Sequence, residues 1–415
     1  MSQDESIDFE ELEGETELTP PEVYASNLME WAIEHHASDV FVSDSDRCVT
    51  VSMRRLGRVE PIRQLARDYG RRLQGHLRVL AGGDVGESLR PTEGRGVIAT
   101  PSGGEIDMRL SSMPTLFGQD VAIRLFDPVS GFRSLEELGF DETELKIVKG
   151  LLEQPAGLIV VAGPVASGKS STMYAMVDAL NDGTRKIHTL EDPIEHSIPG
   201  VMQSQVNHRA GLGFGELLTA VLRHSPDVIM IGEIRDGRTA SAALRAGASG
   251  QLVLATIHAK SAAEAVDSFL QFDASPKAIS QALLGVINQR LVRSLCTDCR
   301  QEVDQPPPEV SSRIESRLGG QVAKLWSAQG CDICHGKGFA QLTCTPEILA
   351  VDRNLKTVIA GGAGAIALED AAKDEGMLTM AESLAARVYR GETTAVEAHR
   401  VVPAPQFSEI AIVGK

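Results

Sequence analysis

The sequence predicts an α/β protein whose larger part contains a mainly parallel sheet with helices on its faces. Three observations lead to this fold class. From residue 135 onward, apolar runs with strand character alternate with segments of helical periodicity. Residues 23–127 instead combine short alternating strands with few helices, as in a small α+β domain. Large cores are also possible, because 42% of the 415 residues are hydrophobic, although only 4% are aromatic.

The first 22 residues are acidic and lack apolar periodicity, so we expect a disordered tail there. This tail either solvates the protein or serves as a docking peptide. The formal net charge of −17 argues against a nucleic-acid partner. The N-terminus has no secretory signal, and no uncharged apolar run is long enough to span a bilayer. We therefore expect a cytoplasmic protein that reaches the inner membrane only through partners.

The small domain at 23–127 is predicted to contain helices at 23–37 and 65–81. Its expected strands are DVFVSD, CVTVSMRR, GRGVIAT, EIDMRLSSM and QDVAIRLF. A stretch with Pro and Gly at 128–134 is expected to be a linker. The remaining regions are a core at 135–295, a cysteine-bounded insert at 296–345 and a helical region at 346–415.

Four apolar runs of the core end in residues that can bind or act on a phosphate. They are LIVVAGPVASGKS, KIHTLEDPIEH, DVIMIGEIRD and LVLATIH. In an open parallel sheet, ligands bind outside the carboxyl ends of the strands. If these runs are neighbouring strands, Lys169, Glu191, Glu233 and His258 converge on one crevice. That arrangement favours a nucleotide-hydrolysing motor.

The segment GPVASGKS matches the phosphate-binding pattern G-x-x-x-x-G-K-S. In such a loop, backbone N–H groups and a helix N-terminus surround the phosphates, the lysine reaches the outer phosphates, and the serine holds Mg²⁺. The context fits, since LIVVA is strand-like and SSTMYAMVDALN is helical. The predicted nucleotide-binding residues are Gly163, Ser167, Gly168, Lys169, Ser170 and Ser171, and Ser170 is also a predicted Mg²⁺ ligand.

Two carboxylates follow other strands of the core. Phosphoryl transfer needs a fixed Mg²⁺ and an oriented attacking water. We assign Glu233 to Mg²⁺, directly or through water, and Glu191 to the attacking water. Taken alone, the two glutamates are better explained as helix caps or as partners of Arg235 and Arg238. Their occurrence together with a phosphate-binding loop favours the catalytic assignment instead.

Three further polar residues have two interpretations each. His258 is either a packed, hydrogen-bonded residue or a polar sensor of the bound nucleotide. Arg109 and Arg124 are either surface arginines or residues that reach phosphates across an interface. In the second case, an arginine can accelerate phosphoryl transfer by ~10³–10⁵.

The insert contains four cysteines in two C-x-x-C pairs, Cys296 with Cys299 and Cys331 with Cys334. Four thiolates in this pattern suit a tetrahedral structural Zn²⁺. A metal would stabilise a Pro-rich insert that has little core of its own. The alternative is four unlinked thiols.

The ordered motifs resemble the type II secretion and type IV pilus assembly ATPases over about residues 25–400. They comprise ASDVFV, RLSSMPTLFGQDVAIRLFD, LEELGF, the phosphate-binding loop, TLEDPIEH, QVNHRAGLGFGELLTAVLRHSPDVIMIGEIRD, GQLVLATIHAKSAAEAVDSFL, LLGVINQRLVRSLC and GMLTMAESLAARVYRGETTAVEAHRVV. The resemblance implies a RecA-like ATPase core linked to a PAS-like N-terminal domain. It also implies homo-hexameric rings with ATP between lobes and a polytopic inner-membrane platform protein as partner.

Within this resemblance, Glu191 would be the general base, Glu233 the Walker B glutamate near Mg²⁺, and His258 part of the "His box". Arg109 and Arg124 fall on arginine positions that approach the nucleotide in that family. The cysteine quartet marks assembly and secretion ATPases there and is absent from retraction motors, so it favours assembly.

The chain departs from the family pattern in the phosphate-binding loop. Val165 and Ala166 stand where Thr and Gly are usual, and alanine tolerates positive φ less well than glycine. Ser225 stands where the family commonly has Asp. These departures motivate an alternative, a nucleotide-gated assembly scaffold with little hydrolysis. A pilus-retraction ATPase is a third hypothesis, and an ATP-hydrolysing assembly motor is the leading one.

Overall fold

The computed structural model describes residues 19–84, 86, 89–126, 133–304 and 311–402. The chain divides into two compact units, residues 1–131 and 132–415. Most of the predicted tail and linker therefore lies outside the described residues. The first helix begins at Pro21, inside the stretch that was predicted to be a tail. In the described part of the chain, no helix has both the length and the apolar character that crossing a bilayer requires.

The first unit is an antiparallel sheet with two helices. Its elements are α1 (Pro21–Glu34), β1 (Ala37–Asp44), β2 (Val49–Arg55), β3 (Arg58–Leu65), α2 (Arg67–Leu80), β4 (Thr92–Ala99), β5 (Glu105–Pro114) and β6 (Gln119–Phe126). The strand order is β3-β2-β1-β6-β5-β4. Residues of β2 alternate between buried and partly exposed, as expected for a sheet with one face on the core. The predicted α+β class of this unit is confirmed, while its PAS-like character stays a prediction.

The sequence analysis missed strand β3. This strand contains Pro61 and does not alternate cleanly between buried and exposed residues. It lies at the edge of the sheet, where a proline that lacks an N–H donor is tolerated. The pairing register with β2 shifts between Val51 and Ser52, opposite this proline. Because of the proline and the irregular pairing, the sequence lacks the pattern of a regular strand here.

The second unit contains a seven-stranded sheet in the order β15-β12-β7-β11-β10-β8-β9. Its strands are β7 (Gly157–Ala162), β8 (Ile187–Glu191), β9 (Met202–Gln205), β10 (Val228–Ile231), β11 (Leu252–Ile257), β12 (Leu283–Leu295) and β15 (Phe339–Ala350), and a separate ribbon pairs β13 (Gln301–Val303) with β14 (Leu325–Ser327). All neighbours in the large sheet are parallel except β12 and β15. The predicted mainly parallel sheet is confirmed.

Helices pack on this sheet and extend beyond it. They are α3 (Glu142–Leu152), α4 (Lys169–Leu180), α5 (Phe214–Val221), α6 (Gly237–Ala248), α7 (Ala262–Gln271), α8 (Pro276–Ala282), α9 (Ser312–Arg317), α10 (Arg353–Ala360), α11 (Ala365–Asp374), α12 (Met380–Tyr389) and α13 (Ala395–Val401). The region predicted to be helical, 346–415, contains α10 to α13 in its described part. The predicted end of the insert at residue 345 instead falls inside β15, which pairs with β12 over almost its whole length.

Strand β7 shows why the core runs are continuously apolar. Every residue of this strand is buried. Leu158 and Val160 contribute to a core cluster on one face of the sheet, while Ile159 and Val161 contribute to the cluster on the other face. A strand covered on both faces needs apolar side chains at every position.

Candidate functional site

The four predicted strand ends lie at one edge of the large sheet. Strands β7, β11, β10 and β8 are consecutive neighbours and run parallel. The residues that follow their carboxyl ends therefore project from the same side of the sheet. This confirms the arrangement on which the predicted crevice depends.

The loop between β7 and α4 requires glycine at its two signature positions. Gly163 has φ 145°, and a side chain there would meet the Ser167 hydroxyl at 2.5 Å and the Gln289 carbonyl oxygen at 2.6 Å. Gly168 adopts a left-handed conformation just before α4 begins. Ala166 also has a positive φ, 60°, so alanine occupies a conformation that glycine adopts more readily.

Lys169 is folded back onto the phosphate-binding loop. Its ammonium donates to the carbonyl oxygens of Gly163 at 3.0 Å and Pro164 at 2.9 Å. It also lies 3.4 Å from His258 Nδ1. Burial lowers the pKa of Lys169, and the nearby Glu233 carboxylate opposes that shift. A phosphate anion would offer this ammonium a charged acceptor in place of the two carbonyls.

The carboxylate of Glu233 connects residues that follow three neighbouring strands. One oxygen lies 2.8 Å from His258 Nε2, and the other lies 2.5 Å from Arg235 Nη2. Arg235 is also 3.9 Å from Asp192, the residue that follows β8. The alternative pairing of Glu233 with Arg235 is thus present, and it coexists with the link through His258 to Lys169. His258 is hydrogen-bonded, but its side chain is 48% exposed, so it is not a packed residue. Its role as a sensor stays a prediction.

Glu191 ends β8 and is buried, with 4% of its surface exposed. Its carboxylate accepts hydrogen bonds from the hydroxyl of Tyr174, from Thr189 Oγ1 at 2.6 Å and from Gln203 Nε2 at 3.0 Å. Burial and the bond to Glu191 raise the pKa of Tyr174. Both oxygens of Glu191 are therefore held by neighbouring side chains, and activation of a water would require one of them to be released.

Three predicted serines differ in exposure. Ser170 and Ser171 are exposed at the start of α4, where a cation or phosphate can approach them. Ser167 is buried, and its hydroxyl has no hydrogen-bond partner within the part of the chain that the structure describes. The exposure of Ser170 fits its predicted role as a Mg²⁺ ligand.

Arg109 and Arg124 lie in the first unit, where they face each other in the register of β5 and β6. Arg109 is 3.9 Å from Glu93, and Arg124 is 3.3 Å from Asp39. Both arginine side chains are more than half exposed. Their approach to the nucleotide stays a prediction.

Gln289, on β12, contacts the phosphate-binding loop and was missed by the sequence analysis. Its side-chain amide donates to the Ser167 carbonyl oxygen at 2.8 Å and accepts from Thr172 Oγ1 at 2.9 Å. The residue is fully buried. It therefore fixes the end of the loop to the first turn of α4.

The residues beside Gln289 hold a second loop. Asn288 Nδ2 and Arg290 Nη2 both donate to the Lys260 carbonyl oxygen, at 3.1 and 2.8 Å. Lys260 lies two residues after His258. The usable signal was the polar triplet inside LLGVINQRLV, since buried polar side chains in a strand need specific partners.

The two cysteine pairs come together in the insert. All four sulfur atoms lie within 4.8 Å of one another. The Sγ distances are 3.9 Å for Cys296 to Cys331, 3.8 Å for Cys299 to Cys334 and 3.8 Å for Cys331 to Cys334. A tetrahedral Zn²⁺ with Zn–S bonds of about 2.3 Å places its sulfurs about 3.8 Å apart. The predicted clustering is confirmed, and the spacing is compatible with a bound metal ion and too long for disulfides.

Backbone N–H groups also point at these sulfurs. Gly330 donates to Cys299 Sγ at 3.3 Å, and Gly338 donates to Cys334 Sγ at 3.1 Å. The N–H of Cys331 is 3.2 Å from Cys334 Sγ. Such donors stabilise thiolates, the form of cysteine that binds a metal.

The chain is similar to known proteins over most of its length. Residues 15–400 match the family described as type II/IV secretion system protein. The chain is 34% identical over 375 residues to the type IV pilus assembly ATPase PilB of Thermus thermophilus, an alignment that covers 90% of this chain and 42% of that protein. It is 36% identical over 373 residues to type II secretion system protein E of Dickeya dadantii, covering 89% of this chain and 73% of that protein.

A solved structure has the same fold. The X-ray structure of the Legionella pneumophila ATPase DotB superposes with a TM-score of 0.68 at 17% identity and covers 94% of this chain and 97% of that chain. The chain therefore has the mixed α/β fold of that structure.

Proposed function

This chain belongs to the type II/IV secretion system protein family, a family of secretion and pilus motor ATPases, and from that premise we propose that it hydrolyses ATP with Mg²⁺ to power assembly of a type IV pilus or a type II secretion pseudopilus. One observation carries the proposal. A continuous set of contacts runs from Lys169 through His258 to Glu233, across the ends of three neighbouring strands. These contacts support a site in which Lys169 binds phosphate near a carboxylate that is suited to Mg²⁺.

The roles of the residues follow from the chemistry of phosphoryl transfer. Backbone N–H groups of the loop and the start of α4 bind the phosphates of ATP. Lys169 exchanges its two carbonyl acceptors for phosphate oxygens. His258 contacts Glu233 and approaches Lys169, so a shift of the lysine toward phosphate alters the contacts of the histidine. That connection supports the role of His258 as a nucleotide sensor.

Magnesium would be held by Ser170 and Glu233. The oxygen donors of these residues suit this hard cation, which neutralises charge on the transferring phosphate. In the structure one oxygen of Glu233 is occupied by Arg235. Coordination of Glu233 to the cation would thus require Arg235 to yield that oxygen, or a water to bridge the carboxylate and the cation.

Glu191 is the proposed general base. Its three hydrogen-bond donors hold the carboxylate at the end of β8. Release of the Tyr174 hydroxyl would free one oxygen for an attacking water. Arg109 and Arg124 are proposed to stabilise charge on the transferring phosphate across an interface.

Zinc is proposed as the resident metal of the cysteine cluster. The sulfur spacing and the N–H donors to sulfur support it. A structural Zn²⁺ would add to the stability of the insert. Because the resembled retraction motors lack this quartet, the cluster also supports assembly over retraction.

The proposed assembly is a homo-hexameric ring in the cytoplasm that acts through a polytopic inner-membrane platform protein and other components of the pilus or secretion apparatus. Family membership supports this proposal. The alignment spans 42% of the Thermus protein. For this chain, the activity and the partners of the full-length relatives are therefore proposals.

The decisive experiment compares phosphate release by the wild type and Glu191→Gln with saturating ATP and Mg²⁺. We expect steady hydrolysis by the wild type and a loss of about 10²–10⁴ in kcat for the variant, as for removal of a general base. The variant should still bind a fluorescent ATP analogue. The exposed Glu153→Gln serves as the control and should retain wild-type turnover. Negligible release by a wild type that binds ATP would instead favour the nucleotide-gated scaffold.

A further inference from the structure

A buried glutamate links the loop after β11 to the C-terminal helices. Glu347 lies on β15, directly opposite Asn288 of β12 in the pairing register. Only 3% of its surface is exposed. One carboxylate oxygen accepts from the N–H of Ala262 at 2.5 Å, and the other accepts from the N–H of Met380 at 2.9 Å. Each carboxylate oxygen thus accepts a hydrogen bond from a different helix.

The two donors are the first residues of α7 and α12. The first N–H groups of a helix have no partner within the helix and carry partial positive charge. A buried carboxylate between two such ends compensates both, which explains how an acidic side chain is tolerated there. Burial raises the pKa of Glu347, and the two backbone hydrogen bonds oppose that rise.

Helix α7 begins four residues after His258. Between them, the Lys260 carbonyl oxygen is held by Asn288 and Arg290 from β12. Glu347 holds the next part of the same segment through Ala262. Two strands therefore hold segment 258–262. Side chains of β12 bind the carbonyl oxygen of Lys260, and Glu347 of β15 binds the N–H of Ala262.

We propose that Glu347 is a positioning residue that couples the His258 segment to the start of α12. This inference rests on the proposed function, because it assumes that His258 responds to nucleotide. When nucleotide displaces segment 258–262, the shared carboxylate must readjust, and the first turn of α12 readjusts with it. The C-terminal helices thereby receive the nucleotide state of the site.

A merely structural role predicts something different. If Glu347 only caps two helices, its replacement lowers stability and leaves turnover per folded molecule unchanged. Glu144 provides a matched control, since it is also buried and accepts from Ser383 of α12 and pairs with Arg387. The described contacts of Glu144 involve α12 and the start of α3, and they do not include segment 258–262.

The test compares the full-length wild type, Glu347→Gln and Glu144→Gln. Glutamine keeps the shape of the side chain but presents an NH₂ group to one of the two N–H donors. We expect kcat for ATP to fall about tenfold in Glu347→Gln, as for a slightly misplaced catalytic group, with the dissociation constant of a fluorescent ATP analogue changed less than about threefold. Glu144→Gln should keep the wild-type kcat.

Hydrogen–deuterium exchange gives a second readout that does not depend on turnover. With Mg²⁺ and a non-hydrolysable ATP analogue, wild-type peptides covering 258–265 and 379–384 should change their exchange together. In Glu347→Gln the change should persist at 258–265 and vanish at 379–384. The inference is overturned if 379–384 still responds in that variant, or if it does not respond in the wild type.

If Glu347→Gln does not fold, the exchange measurement on the wild type still tests the coupling. A wild type that binds the analogue and shows coupled exchange, but releases no phosphate, would refute the proposed hydrolysis and support the coupling. A wild type that hydrolyses ATP briskly but shows uncoupled exchange would support the proposed hydrolysis and refute the coupling. A wild type that binds no nucleotide would refute both.

Discussion

Replacement of Gln289 by leucine tests whether the phosphate-binding loop depends on support from the neighbouring strand. Leucine fills a similar volume but cannot donate to the Ser167 carbonyl or accept from the Thr172 hydroxyl. Thr172 is almost fully buried, so water cannot replace the lost acceptor. Each buried group left without a partner costs about 1–3 kcal/mol. We therefore expect a loss of about 2–4 kcal/mol in the stability of the second unit, because the added apolar contact offsets part of the cost.

Part of this loss should appear in nucleotide affinity. Ser167 precedes Gly168 and Lys169, whose N–H groups and side chain must face the phosphates. If about 1.4 kcal/mol is spent on restoring the loop geometry, the dissociation constant for ATP rises about tenfold. Titration with a fluorescent ATP analogue measures this change, and thermal unfolding with and without nucleotide measures the stability.

The first unit offers a matched control for this substitution. Gln74 is also buried and donates to the carbonyl oxygens of Val42 at 2.9 Å and Gln119 at 3.1 Å. Gln74→Leu should destabilise the first unit and leave the ATP affinity of the folded protein unchanged. Wild-type affinity in Gln289→Leu, or an equal loss of affinity in Gln74→Leu, would refute the reasoning.

Ala166→Gly should raise stability by about 0.5 kcal/mol, because it removes a left-handed alanine that costs about 1–2 kcal/mol, less the entropy that glycine adds to the unfolded chain; a lower melting temperature would contradict this. Cys299→Ser should abolish bound zinc measured by elemental analysis, whereas Cys48→Ser, outside the cluster, should retain it. Burial alone would raise the pKa of Glu397, but hydrogen bonds from its two arginine partners hold that pKa below the usual value. The ionised carboxylate therefore contributes stability above about pH 4.3, which is lost as the pH falls through the lower folded pKa. Glu397→Gln should flatten the dependence of melting temperature on pH in that range.

The sequence predicted the class of each unit and the sheet edge at which the candidate phosphate-binding residues lie. The pattern around Lys169 and the continuous apolar runs were enough, because buried parallel strands and glycine-rich loops leave local signatures. It also predicted the cysteine cluster from spacing alone. The positive φ of Ala166 shows that the backbone has a glycine-like conformation at this departure from the family pattern.

The sequence pattern predicted neither strand β3 nor the full extent of β15. A proline and an irregular register weakened the first signal, and the second strand continues out of a cysteine-bounded insert. In both cases pairing with a partner strand determined the structure. Strand pairing is a long-range interaction, so a single segment of sequence carries little information about it.

The sequence by itself predicted candidate residues for phosphate and metal chemistry and the neighbouring strands that bring them to one edge. Only the tertiary structure decided how those residues are held: Glu191 by Tyr174 and Gln203, the loop by Gln289, and the His258 segment by Glu347. The physical reason is that a motif is a local pattern of residue types, whereas a hydrogen bond between distant segments exists only once the chain has folded. Buried polar side chains take whichever partners the fold brings within reach.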